Sequence, residues 1–270
     1  MSFFKLKNGM KLYYEETGSG QPTILMHGWS SSHEIYSVPA AMLKDKARCI
    51  AYDHRGHGGS IKANQEPVTM DTLASDLNEL IEGLGLSEVS LVGWSMGAGV
   101  ALNYVRHYGC GALKQIVLCD MSPKQVNDSE WKLGLYQGRY TAKDIKREAG
   151  KDFLQLYQEF AVGAVPKLRK VPGFLLRPNL KKRLMKCDES VLRSLSKSMK
   201  EQDYRDVIGK ISVVMSYFYS EPGSLFSPDL AKWYRSQAKV PFVAIPFPKS
   251  SHMFISEYPE QFATELGKLL

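Results

Sequence analysis

Four-residue apolar runs alternate with helix-spaced patterns through the first 120 residues: 23–26 then 35–43, 49–52 then 73–81, 89–92 then 98–108, and finally 116–119. Short, unbroken apolar runs of this kind mark strands buried on both faces. Their alternation with helices predicts βαβ units in a largely parallel, doubly wound sheet. Right-handed crossovers then place helices on both faces and bring the strand C-terminal ends to one edge.

Ahead of this series, residues 3–7 and 10–16 flank Asn8-Gly9, which predicts a hairpin closed by a tight two-residue turn of positive φ angles. The alternation stops after Asp120. Residues 129–136, 144–160 and 188–201 have helical patterns, with Pro166, Pro172 and Pro178 as interruptions. Strand-like runs return at 211–219 and 241–245, with helical patterns at 228–238 and 259–270. The expected organisation is a core of residues 1–120 plus 211–270 and a helical cap, 121–210, inserted after the sixth strand.

Composition fits this picture. A chain of 270 residues with 44% hydrophobic content is long enough to bury a full core. Its apolar stretches, such as 116–118 and 211–215, fall far short of the roughly 20 residues a spanning helix needs. The N-terminus, Met1-Ser2-Phe3-Phe4-Lys5, lacks the features of an export signal, so the expected location is cytoplasmic, with no membrane partner. Cys49, Cys110, Cys119 and Cys187 lie far apart without metal-ligand spacing, so neither metal nor cofactor is expected. Cys49 and Cys119 fall inside apolar runs and read as small buried hydrophobes.

Charge is unevenly distributed. Residues 121–210 hold 20 Lys+Arg against 11 Asp+Glu, a net of +9, whereas the rest holds 15 against 17, a net of −2. The basic excess therefore belongs to the cap. Solvated helix faces explain clusters such as Lys181-Lys182-Arg183; attraction of an anionic substrate or acidic partner is the alternative. No interleaving of aromatic and basic residues supports nucleic-acid binding.

The central chemical signal is Gly93-Trp94-Ser95-Met96-Gly97, placed between the strand 89–92 and the helix that begins near Ala98. On such a turn the serine is held in a strained conformation with its hydroxyl above the sheet, and small flanking residues allow close backbone approach. Acyl transfer also needs donors aimed at the developing oxyanion. Met26-His27-Gly28-Trp29 follows a strand end, so the backbone N–H groups of Trp29 and Met96 are candidates.

His27-Gly28-Trp29, then Asp53-His54-Arg55-Gly56-His57-Gly58-Gly59-Ser60, then Gly93-Trp94-Ser95-Met96-Gly97, then Ser251-His252 together resemble the α/β-hydrolase superfamily. The resemblance covers the core and leaves the cap unmatched. It implies an α/β-hydrolase fold, a serine hydrolase cleaving a carboxylic ester or thioester, Ser95 as nucleophile and His252 as base, with His54 and His57 in structural roles. An imidazole suits the role, since it titrates near neutrality and can both take and return a proton.

The family's usual acid, in a Gly-x-x-Asp turn, has no counterpart in Tyr219-Ser220-Glu221-Pro222-Gly223-Ser224. A subset of the family carries it one strand earlier, which implies Asp120; Glu221 ranks second and Asp229 third. A serine nucleophile makes the dehalogenase and epoxide-hydrolysing chemistries of related families improbable. The motifs also resemble esterases that demethylate pimeloyl carrier-protein esters, which would make an acidic carrier protein a partner of the basic cap. A noncatalytic small-molecule receptor on the same scaffold is the non-enzyme alternative. Trp131, Tyr136, Tyr140, Phe153, Tyr157 and Phe160 either line an apolar pocket or hold the cap helices together.

Overall fold

The structure is a computed structural model that describes residues 2–61, 67–223 and 225–270. Eight strands form one sheet: β1 (Ser2–Lys5), β2 (Lys11–Thr17), β3 (Gln21–Met26), β4 (Ala47–Tyr52), β5 (Val89–Trp94), β6 (Leu113–Cys119), β7 (Val214–Glu221) and β8 (Phe242–Pro248). Their spatial order is β1-β2-β4-β3-β5-β6-β7-β8. β1 and β2 pair antiparallel, as do β2 and β4, and every later pairing is parallel.

Side-chain alternation explains why the central strands read as continuous apolar runs. Ile24 and Met26 of β3, and Ile116 and Leu118 of β6, enter the core on one face. Leu25, Val117 and Cys119 enter the core on the other. Neither face reaches water, so polar residues in these strands are few, and Gln115 and Ser90 bond each other at 3.0 Å. Each fully buried Leu, Ile or Val stabilises the fold by roughly 1.5–3 kcal/mol relative to exposure.

The first core is covered by α2 (Met70–Gly83) and α3 (Met96–Tyr108); the second is covered by α1 (Ser37–Leu43), α11 (Phe254–Glu257) and α12 (Pro259–Gly267). Between β6 and β7 the chain forms α4 (Leu135–Gly138), α5 (Ala142–Glu148), α6 (Phe153–Ala164), α7 (Gly173–Leu184), α8 (Glu189–Glu201) and α9 (Arg205–Ile208); α10 (Leu230–Gln237) lies between β7 and β8.

Several boundaries differ from expectation. The first hairpin is not closed by two residues: 6–10 separate the paired Lys5 and Lys11, and Gly9 has φ 85° whereas Asn8 stays at negative φ. Residues 129–134 are not helical, and Tyr136 and Gln137 in α4 carry positive φ angles, so the turn kinks there. The segment 144–160 is two helices, because Asp152 caps α6 by accepting the Gln155 N–H. Pro178 lies inside α7 rather than ending it. β7 begins at Val214, three residues later than the apolar run that starts at Ile211.

Candidate active site

Ser95 connects β5 to α3 with φ 54° and ψ −119°, a conformation that costs an L-residue energy and is kept only where its surroundings enforce it. The surroundings are specific. A Cβ on Gly93 would strike the backbone of Gly97, and one on Gly97 would strike the Met26 carbonyl, so glycine is required on both sides of the bend. The Ser95 N–H donates to the Cys119 carbonyl at 2.9 Å, and its own carbonyl accepts from Ala98 and Gly99 at the start of α3.

His252 follows β8 and precedes α11. Its Nε2 lies 2.9 Å from Ser95 Oγ and its Nδ1 lies 2.7 Å from Asp120 Oδ2. Asp120 ends β6 with φ 45°, and its Oδ2 also accepts from Ser220 Oγ at 3.2 Å. The histidine loop is tethered from three directions: Trp94 Nε1 donates to the His252 carbonyl at 2.9 Å, the His252 N–H donates to the Ala164 carbonyl at 3.1 Å, and Glu257 accepts from the Ser251 N–H at 2.7 Å. The structure thus brings Ser95, His252 and Asp120 together across three strand ends. Glu221, at the end of β7, and Asp229, beside Lys232, are both exposed, and neither contacts His252.

Gly28 runs beside the bend at Ser95: a Cβ there would lie 2.9 Å from the Trp94 ring and 3.0 Å from Ser95 Cβ. The next residue, Trp29, borders the same cavities as Ser95. Met96 opens α3, so its N–H has no acceptor within the helix. Among the described residues, no backbone bond outside helices and strands is donated by the Trp29 amide either.

Of the buried histidines around the site, His27 and His57 have both ring nitrogens bonded, whereas His54 has neither. His27 Nδ1–H donates to the Gly28 carbonyl and its Nε2 accepts from the His54 N–H; His57 Nδ1–H donates to the Arg55 carbonyl and its Nε2 accepts from the Ser30 N–H. Burial holds His27 well below the usual imidazole range and pushes His54 down to about 3 and His57 to about 4, so all three are neutral. Burial works to raise the Asp53 carboxyl, but bonds from His33 and from the Gly59 N–H outweigh it and hold the group low. Arg55 forms a buried two-point pair with Asp76, at 2.8 and 2.5 Å. The turn also meets the helical insert, where Gly58 N–H donates to the Lys186 carbonyl and Gly56 accepts from the Asp188 N–H. Burial pushes the Cys49 thiol up to about 11 and holds the Cys119 thiol well above its usual range, which keeps both unreactive.

Two chambers meet at Ser95. The smaller, of about 80 Å³, is lined by Gln125, Tyr136, Tyr140, Phe153 and Phe226, with Glu148 and Lys200 at its wall. The larger, of about 520 Å³, runs beneath α6 and α7 past Tyr157, Ala164, Leu168, Leu175 and Leu180. Trp29 and Phe160 border both. Five of the six aromatic residues singled out in the sequence therefore line a chamber; the sixth, Trp131, packs edge-on against Trp233 at 5.0 Å. The chamber residues Gln125, Leu168 and Leu175 of the insert, and Phe226 between β7 and α10, carried no sequence signal, because only tertiary packing brings them to Ser95. This arrangement can activate a hydroxyl beside a chamber able to hold an apolar ester.

Comparison with known proteins bears on the fold. A family model for the alpha/beta hydrolase fold matches residues 21–182. A non-heme chloroperoxidase of Kitasatospora aureofaciens is 36% identical over 118 residues, 43% of this chain and 42% of that protein. The chain thus spans less than half the length of that relative. A pimeloyl acyl-carrier-protein methyl ester esterase of Vibrio cholerae is 28% identical over 262 residues, 95% of this chain and 97% of that protein. Among solved structures, an esterase from Exiguobacterium antarcticum superposes with a TM-score of 0.83 at 22% identity, covering 99% of this chain and 98% of that one. At such identity the superposition speaks for the fold alone. With its model matched over more than half the sequence, the chain belongs to the α/β-hydrolase fold family.

Proposed function

We propose that the chain is a serine hydrolase that cleaves a carboxylic ester or thioester through an acyl-enzyme on Ser95. The observation that carries this reading is the 2.9 Å approach of His252 Nε2 to Ser95 Oγ at the junction of two chambers. Ser95 Oγ attacks the carbonyl carbon while its proton passes to His252 Nε2. Asp120 accepts the Nδ1–H bond, fixes the tautomer and stabilises the imidazolium. The backbone N–H groups of Trp29 and Met96 receive the oxyanion. His252 returns the proton to the departing alcohol or thiol, then takes one from water as its oxygen attacks the acyl carbon, and gives that proton to Ser95 Oγ as the acyl bond to it breaks.

The two chambers select substrates by shape: the shorter substituent of the ester occupies the space of about 80 Å³ and the longer, apolar one the space of about 520 Å³. In this reading the core is residues 1–120 and 211–270, and the cap, 121–210, supplies the chamber walls. A panel of esters with graded acyl and alcohol lengths, run on the wild type and Ser95→Ala with fluorophosphonate labelling, tests it. Labelling of Ser95 with steady turnover supports the reading, whereas tight ligand binding with a single turnover would assign the scaffold to a receptor.

A second reading makes the substrate a methyl ester of an acyl chain held by an acidic carrier protein. It is favoured by the near full-length match to an esterase of that name and by the net +9 of residues 121–210. Salt-insensitive activity with no preference for the carrier-bound ester over the free methyl ester would remove it.

A further inference from the structure

From residue 160 to residue 187 the chain holds eight cations, Lys167, Arg169, Lys170, Arg177, Lys181, Lys182, Arg183 and Lys186, and no carboxylate. Lys186 reaches Glu34 at 2.9 Å. Among the described residues the other seven form no ion pair, although elsewhere on the insert Lys151, Arg193 and Lys200 each have one. The same segment exposes large apolar side chains: Phe174 is 76% exposed, Met185 74% and Leu175 51%. Neither feature stabilises the folded chain.

The helical turn of 100° per residue sorts these side chains into three faces. Leu176 and Leu180 are buried and define the inner face. Leu175, Asn179 and Arg183 follow at one edge, and all three line the larger chamber, where Arg183 lies against the Tyr157 hydroxyl. Phe174, Pro178 and Met185, spaced by four and seven residues, project opposite the inner face, with Lys181 and Lys182 on either side of that line. The helix is thus apolar on two opposite faces, and the insert covers only one of them. Two protruding apolar side chains within a ring of unpaired cations fit an anionic lipid surface, into which the apolar groups insert while the cations meet the headgroups. A flat acidic protein surface matches the cations but offers Phe174 and Met185 no apolar phase.

We propose that the outer face of α7, with residues 166–172 before it, is a docking surface for an anionic lipid bilayer, which sets the mouth of the larger chamber at the lipid–water boundary. The lack of any helix long and apolar enough to cross a membrane concerns spanning, not surface binding. The passage of an ester from the bilayer to Ser95 rests on the hydrolase reading; the docking itself does not.

The test uses the full chain carrying Ser95→Ala, sedimented with vesicles of equal parts phosphatidylglycerol and phosphatidylcholine, and with phosphatidylcholine alone. Binding to the anionic vesicles only is expected. Phe174→Ser combined with Met185→Ser should weaken it about tenfold or more. Arg177→Gln, Lys181→Gln and Lys182→Gln together should weaken it about 100-fold. In the wild-type background the Phe174/Met185 pair should hydrolyse a soluble short-chain ester within about twofold of the parent rate, so that lost docking and lost chemistry are told apart. No sedimentation with anionic vesicles at low salt overturns the proposal, as does binding that ignores the Phe174/Met185 pair. Capture of a purified acidic carrier protein without vesicle binding overturns it in favour of a protein partner.

Discussion

At the C-terminal edge of the sheet, the polar side chains around Ser95 are mostly matched to one another, the His54 ring excepted. Ser95, His252 and Asp120 are bonded to one another, His27 and His57 have both ring nitrogens engaged, and Arg55 is matched by Asp76. On α7 the reverse holds, with cations that have no counter-ion among the described residues and aromatic and thioether groups facing water. Buried polar atoms must be partnered because each one left alone costs about 1–3 kcal/mol, whereas exposed groups face no such constraint. The two regions should therefore fail differently when altered: the first in turnover or stability, the second in neither.

The sharpest test of that contrast is Ser95→Ala, which should lower kcat by about 10⁴-fold or more with the melting temperature unchanged or raised. Asp120→Asn should follow, at about 10³-fold in kcat, while Glu221→Gln stays within about twofold of wild type. The opposite ranking in ester hydrolysis would move the acid to Glu221. Gly28→Ala pushes the Trp29 amide away from the nucleophile bend and should cost about 10- to 100-fold, mainly in kcat. A change confined to KM would remove Trp29 from the oxyanion role.

The imidazole cluster extends the comparison to pH. Unfolded histidines titrate near 6.5, but folded His54 and His57 do so only at about 3 and about 4. Below pH 6.5 the unfolded chain takes up protons that the folded chain excludes, so stability falls as pH drops from about 6.5 towards about 4. His54→Phe, which replaces a ring that has no hydrogen bond at either nitrogen, should flatten that slope in melting curves run across the range. An unchanged slope would mean the ring is charged or hydrated. Smallest of all, Phe160→Ala should join the two chambers and relax the preference for one short and one long substituent by a few-fold, with total turnover little changed.

Legibility in the sequence followed the same division. The central strands were readable because both faces are buried, and the bend at Ser95 because its glycines are required by contact with Gly97 and Met26. Pairing of Asp120 with His252 spans 132 residues. Residue spacing alone cannot reveal it, and resemblance to a family subset pointed to it instead. The insert was read less well. Residues 129–134 have helical spacing without helical structure, since tertiary bonds such as Leu135 N–H to the Gln125 carbonyl override local preference. The chambers and the outward face of α7 depend on how those helices pack, which periodicity does not encode.

The His252 amide also fastens the base to the end of α6, through the 3.1 Å bond to Ala164. The roof over the larger chamber and the proposed proton acceptor are thereby parts of one linkage. Any tilt of α6 that stretches this bond also draws the imidazole away from the hydroxyl it serves, so widening the entrance and disarming the nucleophile become a single movement.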